Sequence, residues 1–256
     1  MKLSRLRLLT QTITFALSNL GFVPVLKTGF CLPYLYCYGC PFASAGCPIG
    51  SLQHFAIFQR FPLYIIGFLG IFGTVFGRAF CGWACPFGSF QDLLGGFRNQ
   101  KRRLRRLTYM KFVMLFAVTI AAWLTLDTLF CKFCPAGSLF AAIPATFYYA
   151  PLEISVFFYV HMVTLMLTVI LVLIFSRFWC RYLCPLGTIG IFNKLSILTI
   201  SPDPAKCKKC LDCLSVCPMG IEKLSDIGSS TDCILCGKCV ESCPTKALKI
   251  SVKKTK

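Results

Sequence analysis

The chain has 256 residues, 56% of them hydrophobic and 14% charged, with 27 Lys and Arg against nine Asp and Glu. That balance excludes an ordinary soluble globular domain and fits a membrane protein. The formal charge of +18 does not point to nucleic acid: the basic residues cluster beside apolar runs, and no RNA- or DNA-binding motif is present.

In chain order, four apolar runs are long enough to cross a bilayer, at about 9–26, 62–80, 107–126 and 152–175. The first follows Lys2, Arg5 and Arg7 but lacks a small-x-small cleavage site, so it reads as a retained span. A fifth apolar stretch, 138–150, is too short to span, is interrupted by Pro144 and reads as interfacial or re-entrant. The positive-inside rule places the N-terminus, the run Arg98, Lys101, Arg102, Arg103, Arg105, Arg106, and the pair Arg177 and Arg181 in the cytoplasm. Segments 27–60 and 127–151 then fall outside. Two parts follow: a membrane domain over 1–200 and a lysine- and cysteine-rich cytoplasmic domain over 201–256.

The membrane part is an internal duplication. Arg78-Ala-Phe-Cys81-Gly-Trp-Ala-Cys85-Pro-Phe-Gly88 aligns with Arg177-Phe-Trp-Cys180-Arg-Tyr-Leu-Cys184-Pro-Leu-Gly187. A shorter relative, C-P-x-G-[ST], begins at Cys47, Cys85, Cys134 and Cys184. Each half reads span, outer cysteine motif, span, inner cysteine motif, which implies a pseudo-twofold axis along the membrane normal. Near that axis Cys81, Cys85, Cys180 and Cys184 are expected to hold one [4Fe–4S] cluster at the cytoplasmic face. The proline after each second cysteine suits the first turn of a helix, and Phe90, Leu93, Leu94 and Phe97 then follow at amphipathic spacing.

Six cysteines lie on the outer side: Cys31, Cys37, Cys40, Cys47, Cys131 and Cys134. The likeness of Cys37-x2-Cys40-Pro41 to Cys131-x2-Cys134-Pro135 favours Cys37, Cys40, Cys131 and Cys134 as an outer cluster. The C-P-x-G motif instead pairs Cys47 with Cys134, so Cys47 or Cys31 stands as a substitute, and two leftover thiols invite a disulfide. No C-x-x-C-H occurs, which argues against attached haem.

The last 50 residues carry C-x2-C-x2-C-x3-C-P twice, at Cys207, Cys210, Cys213, Cys217 and at Cys233, Cys236, Cys239, Cys243. This is the spacing of a two-cluster bacterial ferredoxin, in which the fourth cysteine of each run ligates the other cluster. The expected sets are Cys207, Cys210, Cys213 with Cys243, and Cys233, Cys236, Cys239 with Cys217. A βαβ-βαβ module is expected, with terminal strands near Ser196–Ile200 and Ala247–Val252 pairing. Of the two histidines, His161 sits inside the fourth apolar run, where it is either a quinone-binding group or a core histidine satisfied by a neighbouring helix. His54 carries no signal, and Asp127 and Glu153 read as interfacial. No hydrolytic constellation or dinucleotide loop occurs, so any enzyme activity would come from quinone chemistry or from a partner subunit.

The two C-x3-C-P units followed by the ferredoxin cysteines resemble the membrane polyferredoxins of the NapH, MauN and NosR type, over about residues 60–250. The resemblance implies a multi-pass protein of the cytoplasmic membrane that passes electrons between the quinone pool or cytoplasmic donors and redox protein subunits. It carries the family's C-x3-C-P ligands onto Cys81, Cys85, Cys180 and Cys184. The outer cysteines depart from the NapH pattern, and the large flavin domain of NosR is absent. Both departures favour a path for electrons across the bilayer, with four [4Fe–4S] clusters, over a quinol dehydrogenase; a redox-sensing or assembly protein is the further alternative. One difficulty follows: the hydrocarbon core is about 30 Å thick, so inner and outer clusters must sit deep or need a relay.

Overall fold

The computed structural model describes residues 3–21, 26–28, 30–95, 105–148 and 156–253. The stretches 22–25 and 152–155 of the expected first and fourth spans, with Lys2, Phe97, Arg98, Lys101, Arg102, Arg103 and Glu153, lie outside the described residues, as do the side chains of Arg105 and Arg106.

Helix α1 (Leu3–Ser18) is followed by an irregular segment that leads into α2 (Pro48–Ile57) and α3 (Leu63–Phe76). Two short helices come next, α4 (Ala79–Trp83) and α5 (Pro86–Gly95). Then follow α6 (Met110–Thr125), α7 (Leu129–Phe133), α8 (Pro135–Gly137), α9 (Ile143–Tyr148) and α10 (Val156–Ile174). The second inner motif forms a wide turn, Trp179–Leu183, and a 3₁₀ run, Pro185–Lys194. The C-terminal part holds β1 (Leu198–Pro202), α11 (Asp212–Ser215), α12 (Lys238–Glu241) and β2 (Leu248–Val252).

Two helical stretches are long and apolar enough to cross a membrane, Leu107–Thr125 and Val156–Ile174. They are continuous apolar runs without interior Pro or Gly, so nothing breaks them. The other two expected spans are shorter as helices. α3 has 14 residues, or about 21 Å of rise. α1 has 16 residues and carries polar residues along one face: Arg7, Gln11 and Ser18 are buried while Leu8, Leu9, Ile13 and Leu17 face outward. Of the expected short stretch 138–150, residues 149 and 150 lie outside the described ones; the rest forms a wide helical turn, Ser138–Ala142, running into α9.

The main core gathers Tyr34, Leu35, Tyr36, Phe87, Phe130 and Trp179 with cysteines from both halves. α2 and the Pro185–Lys194 run pack on α6, α10 packs on α5, and α1 touches both α5 and α12. The expected strand pairing forms: β1 and β2 are antiparallel, from Leu198 opposite Val252 to Pro202 opposite Leu248. Among the described residues this two-stranded sheet is the whole of the ferredoxin β-structure, in place of the fuller βαβ-βαβ pattern. The intervening loops are shaped by cysteine turns, which leave little length for further strands.

Candidate iron–sulfur centres

The short motif C-P-x-G-[ST] has a local physical meaning. A residue before proline is driven to extended backbone, and proline is pre-shaped for the first turn of a helix. Cys47, Cys134 and Cys184 are each extended, with ψ of 132°, 117° and 113°, and each immediately precedes a helical run that begins at proline. The thiol thus occupies the N-cap, where amide hydrogens and the helix dipole favour a thiolate. The Gly88 amide donates to Cys85 Sγ at 3.4 Å, and the Gly50 and Gly137 amides serve Cys47 and Cys134 in the same way. The hydroxyl that closes the motif donates back to the cysteine carbonyl in three copies, Ser51, Ser89 and Ser138.

The two longer motifs meet, and they hold each other. Arg78 Nη2 donates to the carbonyl of Cys180, and Arg177 Nη1 donates to that of Cys81 at 2.9 Å. Each guanidinium lies over the glycine of the opposite motif: a Cβ at Gly187 would crowd Arg78, and one at Gly88 would crowd the Cys81 carbonyl beside Arg177. The Arg and Gly that recur in both copies of the repeat are therefore two sides of one crossed clamp. Between the clamps Cys81, Cys85, Cys180 and Cys184 are all buried and lie within each other's electrostatic reach. Burial pushes the Cys85 thiol up to about 12 and Cys184 well up, with neighbouring thiols adding to the rise.

On the other side, a cavity of about 470 Å³ is lined by Cys37, Cys47, Cys131 and Cys134, together with Leu35, Tyr36 and His54. The structure brings Cys47 to this cavity, not Cys40. Cys47-Pro48 opens α2, which packs on α6 and aims its N-terminus inward. Cys40-Pro41 opens only a turn, and its buried thiol faces the Tyr36 hydroxyl at 4.0 Å. Cys31 is also outside the cavity, 3.8 Å from Ser51 Oγ. All eighteen thiols are free, and no disulfide joins Cys31 to Cys40. Burial raises Cys37 to about 12 and Cys47 to about 11.

In the C-terminal part, one small cavity is lined by Cys207, Cys210, Cys213 and Cys243, and a second by Cys217, Cys233, Cys236 and Cys239 with Cys213 at their boundary. These are the crossed sets that the spacing predicts. The second cavity is pressed against the inner motif. Cys81 packs with Met219 and Ile234, and beside Cys217 and Cys236. A Cβ at Gly82 would strike the Ile234 carbonyl, and Trp83 Nε1 donates to the Leu235 carbonyl at 2.9 Å. Asn193 joins the seam by accepting from the Arg78 amide at 2.8 Å and donating to the Ser230 and Cys233 carbonyls at 2.7 Å each.

Residues 30–47 link the outer cavity to the inner quartet. Cys85 Sγ lies 4.0 Å from the Leu35 carbonyl oxygen, and Leu35 itself lines the outer cavity. Cys37 is two residues further on, so chain geometry limits the Cys85–Cys37 sulfur separation to about 14 Å. The four thiol groups therefore follow one another without a bilayer-wide gap. Aromatic rings fill the interval: Phe130 and Trp179 have centroids 6.4 Å apart, and Tyr36 stacks on Phe140 at 5.3 Å.

The donor sets fit iron–sulfur clusters better than single ions. Among the described residues no three His, Cys, Asp or Glu side chains converge tightly enough for one metal ion, as a zinc site would require. The outer set and the two ferredoxin sets each line a cavity, and every set receives amide donors on sulfur, as cluster thiolates do. Thiols bind iron as thiolates, so loading a cluster releases protons. His161 does not line the outer cavity. It is half-buried; its Nδ1 sits 3.0 Å from Ser138 Oγ and its ring edges Gly137. His54, silent in sequence, does line the cavity. Asp127 pairs with Lys132 at the surface.

Two glutamines escaped the sequence reading. Gln53 and Gln91 each stand six residues after a C-P-x-G-S cysteine, Cys47 and Cys85. Both are fully buried, and each donates to a cysteine of the other half: Gln53 to Cys131 Sγ at 3.4 Å and Gln91 to Cys180 Sγ at 3.0 Å. The shared offset C-P-x-G-S-x-Q was the available signal. The polar face of α1 was also missed. Arg7 and Gln11 donate to the Gly82 carbonyl, Thr10 to Trp83 and Thr14 to Ala84, so this helix reads out the inner loop's backbone.

Comparisons with known proteins agree with this picture. Two models, each described as a 4Fe-4S binding domain, match the chain, one at 60–105, 108–143 and 157–192, the other at 229–249. An uncharacterized protein of Methanocaldococcus jannaschii is 28% identical over 98% of this chain and 88% of its own length. The ferredoxin-type protein NapH of Escherichia coli is 25% identical over 69% of this chain and 62% of its own. The methylamine utilization ferredoxin-type protein MauN of Methylobacillus flagellatus is 27% identical over 60% and 52%. No solved structure matches the chain.

Proposed function

The chain belongs to the 4Fe–4S binding polyferredoxins of the NapH/MauN type, and we propose that it is a membrane-bound electron-transfer subunit carrying electrons across the bilayer through four iron–sulfur centres. The ligands would be Cys207, Cys210, Cys213 and Cys243; Cys217, Cys233, Cys236 and Cys239; Cys81, Cys85, Cys180 and Cys184; and Cys37, Cys47, Cys131 and Cys134. When bound, the clusters supply one-electron transfer, and the chain's own residues set their spacing, burial and hydrogen bonding.

The observation that carries this reading is contiguity. Cys81 packs beside Cys217 and Cys236, and Cys85 touches the Leu35 carbonyl at the wall of the outer cavity. Electron tunnelling falls steeply with distance, and the re-entrant 30–47 segment removes the gap that two surface-mounted centres would leave. Four spans fit the outward faces: Leu8 and Leu9 on α1, Ile66 and Ile71 on α3, Phe116 and Leu124 on α6, and Val163 and Met166 on α10 are all exposed large apolars, suited to lipid. The N-terminus and ferredoxin module share the cytoplasmic side in this reading, supported by Ser4 of α1 donating to Glu241 of α12 at 3.0 Å and by the basic residues near both. Redox proteins on either side of the membrane are the partners it implies.

The test is vectorial transfer. Purified anaerobically and reconstituted into sealed liposomes, the protein should pass electrons from a reductant on the ferredoxin side to a membrane-impermeant acceptor on the other. Cys134→Ala should abolish that flux and leave the ferredoxin centres reducible. Equal flux in Cys134→Ala would sink the transmembrane path.

A further inference from the structure

Charge is distributed unevenly among the four sites. Among the described residues five cationic side chains are buried on or beside the inner motifs: Arg78, Lys111 and Arg177, with Arg7 and Arg181 between those motifs and the ferredoxin loops. Arg177 and Arg78 bond the carbonyls of Cys81 and Cys180. Arg7 Nε donates to the Gly82 carbonyl at 2.6 Å. Arg181 packs on Gly220 of the ferredoxin loop and over the Tyr182 ring.

Two carboxylates answer four of these cations. Asp92 is shared by Arg7 and Arg177, and Asp232 by Lys111 at 2.6 Å and Arg78 at 3.8 Å. Lys111 is a lysine on an apolar helix with none of its surface exposed, a costly placement unless something nearby is negative. Those four cations exceed their two shared carboxylates by about two positive charges, and four thiolates around a resting cube carry about two negative charges, rising to three on reduction. The outer cavity differs: its lining holds no Lys, Arg, Asp or Glu. The ferredoxin cavity at Cys207 and Cys210 faces the exposed Lys208 and Lys209, and the one at Cys217 and Cys236 the single, half-buried Lys238, so water screens both more than it does the inner quartet.

We propose that the buried cations make the inner quartet the electron-retaining station of the chain, the centre reduced most easily of the four. Added negative charge there is stabilised by fixed cations at low dielectric, while the lining of the outer cavity offers it no Lys or Arg. Electrons entering from either side come to rest between the two clamps until a partner draws them off. The residues that do this are positioning residues; they tune the site through charge and touch no acceptor. The inference rests on the four-centre reading above.

The experiment is an EPR-monitored redox titration of the full chain, purified anaerobically in detergent, preceded by iron and sulfide analysis. Cys85→Ser identifies the inner signal and should remove about a quarter of the iron. That signal should be the first to appear on reduction. Lys111→Met and Arg7→Gln should each lower its reduction equilibrium constant at least tenfold, 59 mV for one electron. Asp92→Asn should raise it by a similar factor, and Lys111→Arg should leave it in place. A merely structural role would not give opposite signs for opposite charges. If Cys85→Ser leaves the iron unchanged, the ligand reading fails and takes this one with it. If iron falls as expected but the inner signal is the last reduced, or the substitutions all move it the same way, the charge inference alone is overturned.

Discussion

The outer quartet offers the sharpest test because two candidate cysteines, Cys40 and Cys47, are separated by only six residues and stand in different surroundings. Cys47 lines the cavity with Cys37, Cys131 and Cys134, at the start of α2 with the Ile49 and Gly50 amides on its sulfur. Cys40 is packed into the core beside Tyr36. Four cubes imply about 16 iron and 16 sulfide per chain. Cys47→Ala should reduce both by about a quarter and delete one EPR signal. Cys40→Ala should keep all four clusters and cost only a small buried side chain, about 1 kcal/mol of stability. Iron and sulfide analysis with EPR on anaerobic protein reads both. If Cys40→Ala loses the iron and Cys47→Ala retains it, the assignment from cavity geometry is refuted, and the C-x2-C-P likeness of Cys37–Cys40 to Cys131–Cys134 was the better guide.

Three further outcomes follow from the same geometry. Asp232→Ala leaves Lys111 and Arg78 buried without their shared carboxylate; thermal unfolding in detergent should show a loss of about 3–5 kcal/mol, and a change under 1 kcal/mol would contradict the buried pairing. Gly82→Ala pushes a methyl into the Ile234 carbonyl, so it should cost about 1–3 kcal/mol and slow reduction of the inner centre from the ferredoxin side in stopped-flow measurements, while Gly67→Ala, which meets nothing, should do neither. Gln53→Leu and Gln91→Leu each delete one donor to sulfur, at Cys131 and Cys180; each should lower the potential of its own centre by an amount worth about 1 kcal/mol, and a shift in the other centre's signal would show that the two donors do not act locally.

Much of this protein is legible in one dimension, for a definite reason. Cysteines three residues apart sit on one tight turn, so the ferredoxin runs announce their thiol sets through covalent spacing alone, and β1 and β2 pair as their position around those runs implies. Cys-Pro fixes its own backbone, so Cys47, Cys134 and Cys184 mark helix starts before any tertiary contact is known. Long apolar runs without breakers determine α6 and α10. What the sequence leaves open is which distant segments meet. Cys40 and Cys47 look alike as letters, and only the docking of α2 on α6 turns one toward the cavity and the other toward Tyr36. Arg7, Arg177 and Arg181 read as cytoplasmic topology signals because charge next to a span ordinarily lies in water. Folding instead buries them beside the inner thiols, where Asp92, 85 positions from both Arg7 and Arg177, meets the cost of that pair. The descent of the 30–47 segment, which brings Leu35 against Cys85, is likewise a property of the packed molecule. Hydrogen bonds and burial between remote residues follow from three-dimensional closure, and a linear pattern carries no record of it.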